Sequence, residues 1–324
     1  MLNIIYAGTP EVAVPPLDYL AQSEAVRVVG VLTREDAPVG RKRVLTPSPV
    51  ARRAEELGLP VVKANHWSEE AAAAIAELNA DAAAVVAYGA LLPRTALDAL
   101  PHGWANLHFS KLPAWRGAAP VQRALMAGES EIFSTTFLLE EGLDTGPTFE
   151  EESTTVTPDD TAGTVLMRLA TSGGALLERT FERLEAGESG AAQTEDESVS
   201  YASKMSIVDG RLTWIEPAEQ ILNRYRGVTP EPGAWCELGE NRFKIGGLSV
   251  ADERLVASLT EGEGGSLAPG AVRLHAKKVL VGTGTEPLQL LRVQLAGKKM
   301  MDAPAWARGA GSDMAEATAA RTPG

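Results

Sequence analysis

A single cysteine, Cys236, stands in 324 residues. No internal disulfide can form, and the chain suits a reducing, cytoplasmic environment. Histidine is scarce as well, with four copies. Three of them, His66, His102 and His275, are isolated, and no carboxylate or thiol cluster has metal-ligand spacing, so no metal is expected. Long hydrophobic runs are missing. Nothing approaches the roughly 20 apolar residues that cross a bilayer, and Met1-Leu-Asn-Ile-Ile-Tyr-Ala-Gly lacks the cationic start of a secretion signal; no membrane partner is expected. Positive charge is also short. The net charge of −13 argues against a polyanionic partner, but the deficit is uneven. Residues 1–203 carry 15 Lys and Arg against 29 Asp and Glu, whereas residues 204–310 carry 14 against 12. A slightly basic second half could still meet a nucleic acid.

The length suits two domains with separate cores. In the first 150 residues, apolar strands alternate with helices. Strands are expected at 4–7, 26–33, 61–62, 81–87, 105–108 and 134–139, and helices at 12–20, 49–57, 68–78, 95–100 and 119–128. This alternation predicts an α/β fold with a doubly wound, mostly parallel sheet. Its binding site should lie at the carboxyl ends of the strands. Residues 34–49 read as a polar loop and 161–186 as a long helix. The catalytic domain is expected to end near residue 189, with an exposed linker over 190–206. Beyond it, over 207–310, one helix and several short strands separated by Gly and Pro suggest a small β-barrel. Residues 311–324 read as a disordered tail.

One segment concentrates chemistry: Asn106-Leu-His108-Phe-Ser110-Lys111-Leu112-Pro113, followed by Gly142-Leu-Asp144-Thr-Gly146. Residues i and i+2 of a strand share a face, so Asn106 and His108 can aim two donors at one developing oxyanion. A nearby carboxylate would raise the imidazole pKa and favour its charged, donating form, and Asp144 is the candidate. Taken alone, however, an Asp at a Gly-bounded turn is as readily a cap. Tyr88-Gly89-Ala-Leu91-Leu92 leaves a strand end as an apolar loop and suits either a packing corner or the wall of a flat heterocycle pocket. Arg41-Lys42-Arg43 is either a solvated charge run or a phosphate contact. Gly8-Thr9-Pro10 is not GxGxxG, so neither a dinucleotide site nor a P-loop is supported.

These segments, with Leu45-Thr-Pro-Ser-Pro-Val50, Trp115-Arg-Gly-Ala-Ala-Pro120 and Ala296-Gly-Lys-Lys-Met300, resemble the methionyl-tRNA formyltransferase family over nearly the whole chain. The resemblance implies a Rossmann-like formyltransferase domain followed by an OB-like barrel. It also implies formyl transfer from 10-formyltetrahydrofolate to initiator methionyl-tRNA. Asn106, His108 and Asp144 would be the catalytic trio. Tyr88, Gly89, Leu91 and Leu92, with Ser110, Lys111, Leu112 and Pro113, would hold the folate. Arg41, Lys42 and Arg43 would meet the tRNA acceptor end, and the barrel would support the acceptor arm. A monomer is expected. Two positions depart from the family pattern: Lys111 replaces a usual leucine and Ala114 a frequent basic residue. The alternatives are a formyltransferase for a small amine, a 10-formyltetrahydrofolate hydrolase, and a non-catalytic binding protein.

Overall fold

The computed structural model describes all residues except 41, 197, 261–266 and 311–324. The expected tail therefore lies outside the described residues, as does Arg41. The chain divides into two compact units. One holds Met1–Pro120, Glu131–Val156 and Thr164–Ser203; the other holds Val121–Ser130, Thr157–Gly163 and the chain from Lys204.

The strands of the first unit are β1 (Leu2–Gly8), β2 (Val26–Thr33), β3 (Ala37–Val39), β4 (Val44–Thr46), β5 (Val61–Lys63), β6 (Ala82–Val86), β7 (Trp104–His108), β8 (Arg116–Gly117), β9 (Glu131–Leu138), β10 (Thr148–Thr155) and β11 (Tyr201–Ala202). Between them in the chain run α1 (Val14–Leu20), α2 (Pro49–Glu56), α3 (Glu69–Glu77) and α4 (Arg94–Leu97), then α5 (Pro120–Ala127), which past its first residue belongs to the second unit, and the long α6 (Ala162–Glu185). Seven strands form the main sheet in the order β10-β9-β7-β6-β1-β2-β5. β7, β6, β1, β2 and β5 are parallel, while β9 and β10 run antiparallel at one end. The central strands read as unbroken apolar runs because helices cover both faces; β6 is buried along its whole length. Ser48 and Ser68 cap α2 and α3, their hydroxyls accepting from the Ala51 and Ala71 amides, which satisfies donors that a helix start leaves unpaired.

Three local readings need correction. Residues 34–49 are not irregular: β3 and β4 pair as an exposed hairpin. Three-residue strands with no buried face leave no period to detect. The acidic β10 also escapes the sequence pattern, because edge strands carry charge to discourage further pairing. Most consequentially, the expected linker packs onto the first unit. Residue Ala191 bridges Thr148, and β11 pairs with β8, so the unit boundary falls after Ser203.

The second unit holds α7 (Ala218–Gly227), β12 (Ala234–Leu238), β13 (Asn241–Val250), α8 (Glu253–Thr260), β14 (Val272–His275), β15 (Lys278–Val281), β16 (Leu288–Gln294), β17 (Met301–Asp302) and α9 (Ala303–Ala310). Its antiparallel sheet runs β12-β13-β16-β15-β14, with β17 on β16, in keeping with the small β domain expected. Helices α8 and α9 are additions to the sequence reading. Asp252 caps the first, and Trp306 of the second packs against Phe243 at 4.8 Å between ring centroids. Cys236 lies in this core, where burial pushes its thiol up to about 12. Among the described residues no helix is long and apolar enough to cross a membrane.

Trp104 anchors the first core beside the site. It is 1% exposed, donates its indole N–H to the Ala96 carbonyl at 2.8 Å and meets Trp67 edge-on. Trp104→Ala should cost roughly 3–5 kcal/mol, read as a lowered urea midpoint; a midpoint unchanged from wild type would contradict this packing role.

Candidate active site

β7 ends at the carboxyl edge of the sheet, where open α/β sheets place their ligands. Leu107, between Asn106 and His108, packs against α6 so closely that a Cβ on Gly173 would sit 2.3 Å from the leucine methyl. Asn106 and His108 therefore share the opposite face. Phe137 of β9 lies across from Asn106 in register, and its ring meets the His108 ring edge-on at 6.2 Å. His108 is buried, while Asn106 is half-exposed. Among the described residues, the Asn106 amide has no hydrogen-bond partner, so its donors remain available to a ligand.

The two imidazole nitrogens have different tasks. Nε2 lies 3.0 Å from the Trp115 carbonyl. A carbonyl can only accept, so Nε2 carries the hydrogen and Nδ1 holds the free lone pair of the neutral ring. Nδ1 faces Asp144, at 3.9 Å from Oδ2. Burial lowers the His108 pKa, and the Asp144 charge and the Trp115 carbonyl offset only part of that. The expectation of a standing imidazolium is thus corrected. At 3.9 Å, across a gap with no direct hydrogen bond, the carboxylate does not outweigh desolvation. The resting group is a neutral base with a carboxylate poised to stabilise its protonated form.

The backbone around this pair is tightly determined. Trp115 adopts a left-handed φ of 59°, and its amide donates to the Ser200 hydroxyl at 2.9 Å. The Gly117 amide donates to Asp144 Oδ2 at 2.7 Å. Asp144 is itself left-handed, with φ 52°. At Gly146 a Cβ would fall 1.8 Å from the Leu138 carbonyl oxygen, so only glycine permits this return of the chain. Gln193 donates to the carbonyls of Asp144 and Gly146 at 2.9 and 2.8 Å. Its own carbonyl accepts from Arg116 at 3.3 and 2.8 Å, and that guanidinium is 2% exposed. Sequence reasoning missed Arg116 and Gln193 as site neighbours. Arg116 lay inside a recognised motif, but Gln193 gave no signal in a stretch without periodicity.

The remaining candidates divide. Tyr88 is buried and donates to the Ala64 carbonyl. The Gly89 carbonyl accepts from Arg34 at 2.6 Å, whereas Leu91 is 87% exposed. The Ser110 hydroxyl donates to the Ala114 carbonyl, and the Ser110 carbonyl accepts from Thr135; Ser110 shapes the turn. Leu112 is buried and Pro113 half-buried. Lys111 lies over the Phe133 ring and near Glu151. A cleft of about 360 Å³ opens between Arg94, Leu97 and Asp98 on one side and Leu139, Glu140, Glu141 and Gly142 on the other. It reaches the turn that carries Asp144. Leu92, Leu97 and Leu139 pack on the core cluster that contains Tyr88, which links the loop expected to line a pocket with the cleft observed. Lys42 and Arg43 sit exposed on the turn between β3 and β4, away from the core. Among the described residues no three His, Cys, Asp or Glu side chains are placed to hold a metal ion.

Residues 2–181 match the formyl transferase family model, and residues 204–311 match the formyl transferase C-terminal domain. A methionyl-tRNA formyltransferase of Arthrobacter sp. is 56% identical over 308 residues, covering 95% of this chain and 97% of that one. The chain belongs to the methionyl-tRNA formyltransferase family. Two solved structures share the fold. An N-formyltransferase from Helicobacter canadensis, in complex with folinic acid and dTDP-3-aminofucose, has a TM-score of 0.64 at 18% identity, over 90% of this chain and 99% of that one. The methionyl-tRNA formyltransferase of Clostridium thermocellum has 0.57 at 14% identity, over 78% and 95%. The family's N-terminal model thus spans the sheet and the cleft, and its C-terminal model starts one residue after the first unit ends.

The protonation state of His108 gives a pH prediction. A neutral base loses activity as pH falls through its pKa, which burial holds below the ordinary histidine value of about 6.5. Asp144 opposes that lowering. In Asp144→Asn the acid limb of kcat/KM should therefore move to still lower pH while the plateau falls. An acid limb that stays in place or moves upward would contradict the arrangement.

Proposed function

We infer that the protein transfers the formyl group of 10-formyltetrahydrofolate to the amino group of methionyl initiator tRNA. The observation that carries this reading is the convergence of the free Asn106 amide, the neutral His108 base and Asp144 beside an open cleft. Family membership gives the acceptor class. The folinic acid held by the Helicobacter canadensis neighbour supports a folate donor. The cleft suits one: Leu97 and Leu139 offer an apolar wall for a flat ring, and Glu140 and Glu141 offer acceptors for ring N–H groups. When bound, the folate supplies an electrophilic formyl carbon with N10 as leaving group.

The residues act in sequence. The acceptor amine forms a bond to the formyl carbon, and charge grows on the carbonyl oxygen. Asn106 donates to that oxygen. His108 takes the amine proton at Nδ1, and Asp144 stabilises the resulting imidazolium. His108 then returns the proton to the departing N10 as its bond to carbon breaks, so the neutral base is restored and one proton has moved from acceptor to donor. Trp115 keeps the ring in the tautomer this requires. Lys42 and Arg43, on a hairpin that also exposes Val39, Val44 and Leu45, supply phosphate contacts to the tRNA.

Formyl transfer to charged initiator tRNA tests these roles. His108→Ala should abolish measurable turnover while tRNA affinity stays near wild type. Asn106→Ala should lose about 10²–10³ in kcat, the usual effect of removing one oxyanion donor. Substantial turnover in His108→Ala would overturn the assignment, as would faster formylation of small amines than of the tRNA. Replacing Lys42 and Arg43 together by alanine should weaken tRNA binding and flatten its salt dependence by about one unit of slope per lost contact. An unchanged slope would remove the hairpin from the tRNA interface.

A further inference from the structure

Asp144 sits on a short turn in an unfavourable backbone conformation, and its orientation decides whether Oδ2 faces His108. We propose that Gln193 is a positioning residue for catalysis: clamped by the buried Arg116 guanidinium, its amide fixes the turn that aims Asp144 at His108. The inference rests on the catalytic reading of Asp144 given above.

Three observations carry it. First, the two ends of the Gln193 amide are used differently. Oε1 accepts two hydrogen bonds from Arg116, while Nε2 donates to the carbonyls of Asp144 and Gly146. Both carbonyls lie on the C-terminal side of the Asp144 Cα, so one side chain holds the stretch from Asp144 to Gly146 by its two ends. Second, the anchor is rigid. Arg116 is buried, belongs to β8 and is also paired with Glu195 at 2.9 Å. Its own amide and that of Trp115 are tied to Ser200. Third, the same short strand supplies the second hold on the carboxylate, because the neighbouring Gly117 amide donates to Asp144 Oδ2. Arg116 and Gly117 thus grip Asp144 from two directions, one through Gln193 at the backbone and one directly at the side chain. Left-handed residues other than glycine persist only where the surroundings over-determine them.

An amide is required at position 193. A carboxylate would keep and strengthen the contact with Arg116 but would present oxygen to two carbonyl oxygens. Gln193→Glu therefore separates two roles. If Gln193 only satisfies the buried guanidinium, the variant should be harmless. If it aims Asp144, kcat should fall roughly 10- to 100-fold with the KM values for folate and tRNA within about twofold of wild type. The acid limb of the pH profile should also move in the same direction as in Asp144→Asn. Gln193→Met, which keeps the length and removes both polar ends, provides a second variant, and a thermal melt shows that each is folded. Wild-type kcat and an unmoved acid limb in folded Gln193→Glu or Gln193→Met would overturn the proposal. Asp144→Asn, run alongside, distinguishes the failures. If it shifts the limb and the Gln193 variants do not, only the positioning role falls. If it leaves the limb unmoved, the catalytic reading of Asp144 falls with it.

Discussion

The hydrogen bond between the Trp115 carbonyl and His108 Nε2 sets the chemistry proposed for this protein. A backbone carbonyl offers no proton, so it selects the tautomer and leaves Nδ1 as the nitrogen free to accept one. It also fixes which edge of the ring meets Asp144. For the carbonyl to be there, Trp115 must hold a left-handed conformation, and for that its amide must find the Ser200 hydroxyl. A residue some 85 positions along the chain from Trp115 thereby determines the protonation chemistry of a strand-end histidine.

Charge placement follows the same economy. Fully burying a carboxylate beside a buried imidazole would carry a large desolvation cost. Here Asp144 keeps a small exposure, its Oδ2 accepts from one backbone amide, and a gap separates it from the ring. The result is a histidine whose ordinary state is neutral and whose charged state is met by a waiting counter-charge. That arrangement suits a group that must accept and then return a proton within one turnover. A permanent ion pair would hold the proton too firmly for either step.

Much of the fold was legible from the sequence. The apolar runs of β1 and β6 are buried on both faces almost throughout, so composition alone marks them. The shared face of Asn106 and His108 could be read from strand period, whereas the glycine-bounded turn left Asp144 as readily a cap, and only the family resemblance gave it a role. What the sequence concealed is physical as well. β3, β4 and β10 have no buried face to impose alternation. The protonation state of His108 depends on how burial and a 3.9 Å separation balance, and spacing reports neither. Gln193 and Ser200 lie in a stretch rich in small and polar residues, which reads as solvent-exposed linker. They earn their order from partners on β8 and on the turns beside it, contacts that no local pattern encodes. The cleft wall from Leu97 and Leu139 was one step from view, since each lies beside a segment already singled out.

The most direct test is the state of the His108 ring itself. Nitrogen NMR on the protein labelled at histidine reports both tautomer and titration. The account predicts a neutral ring with its hydrogen on Nε2 that titrates below the ordinary histidine range. A hydrogen on Nδ1, or a ring that stays charged above pH 6.5, would contradict it.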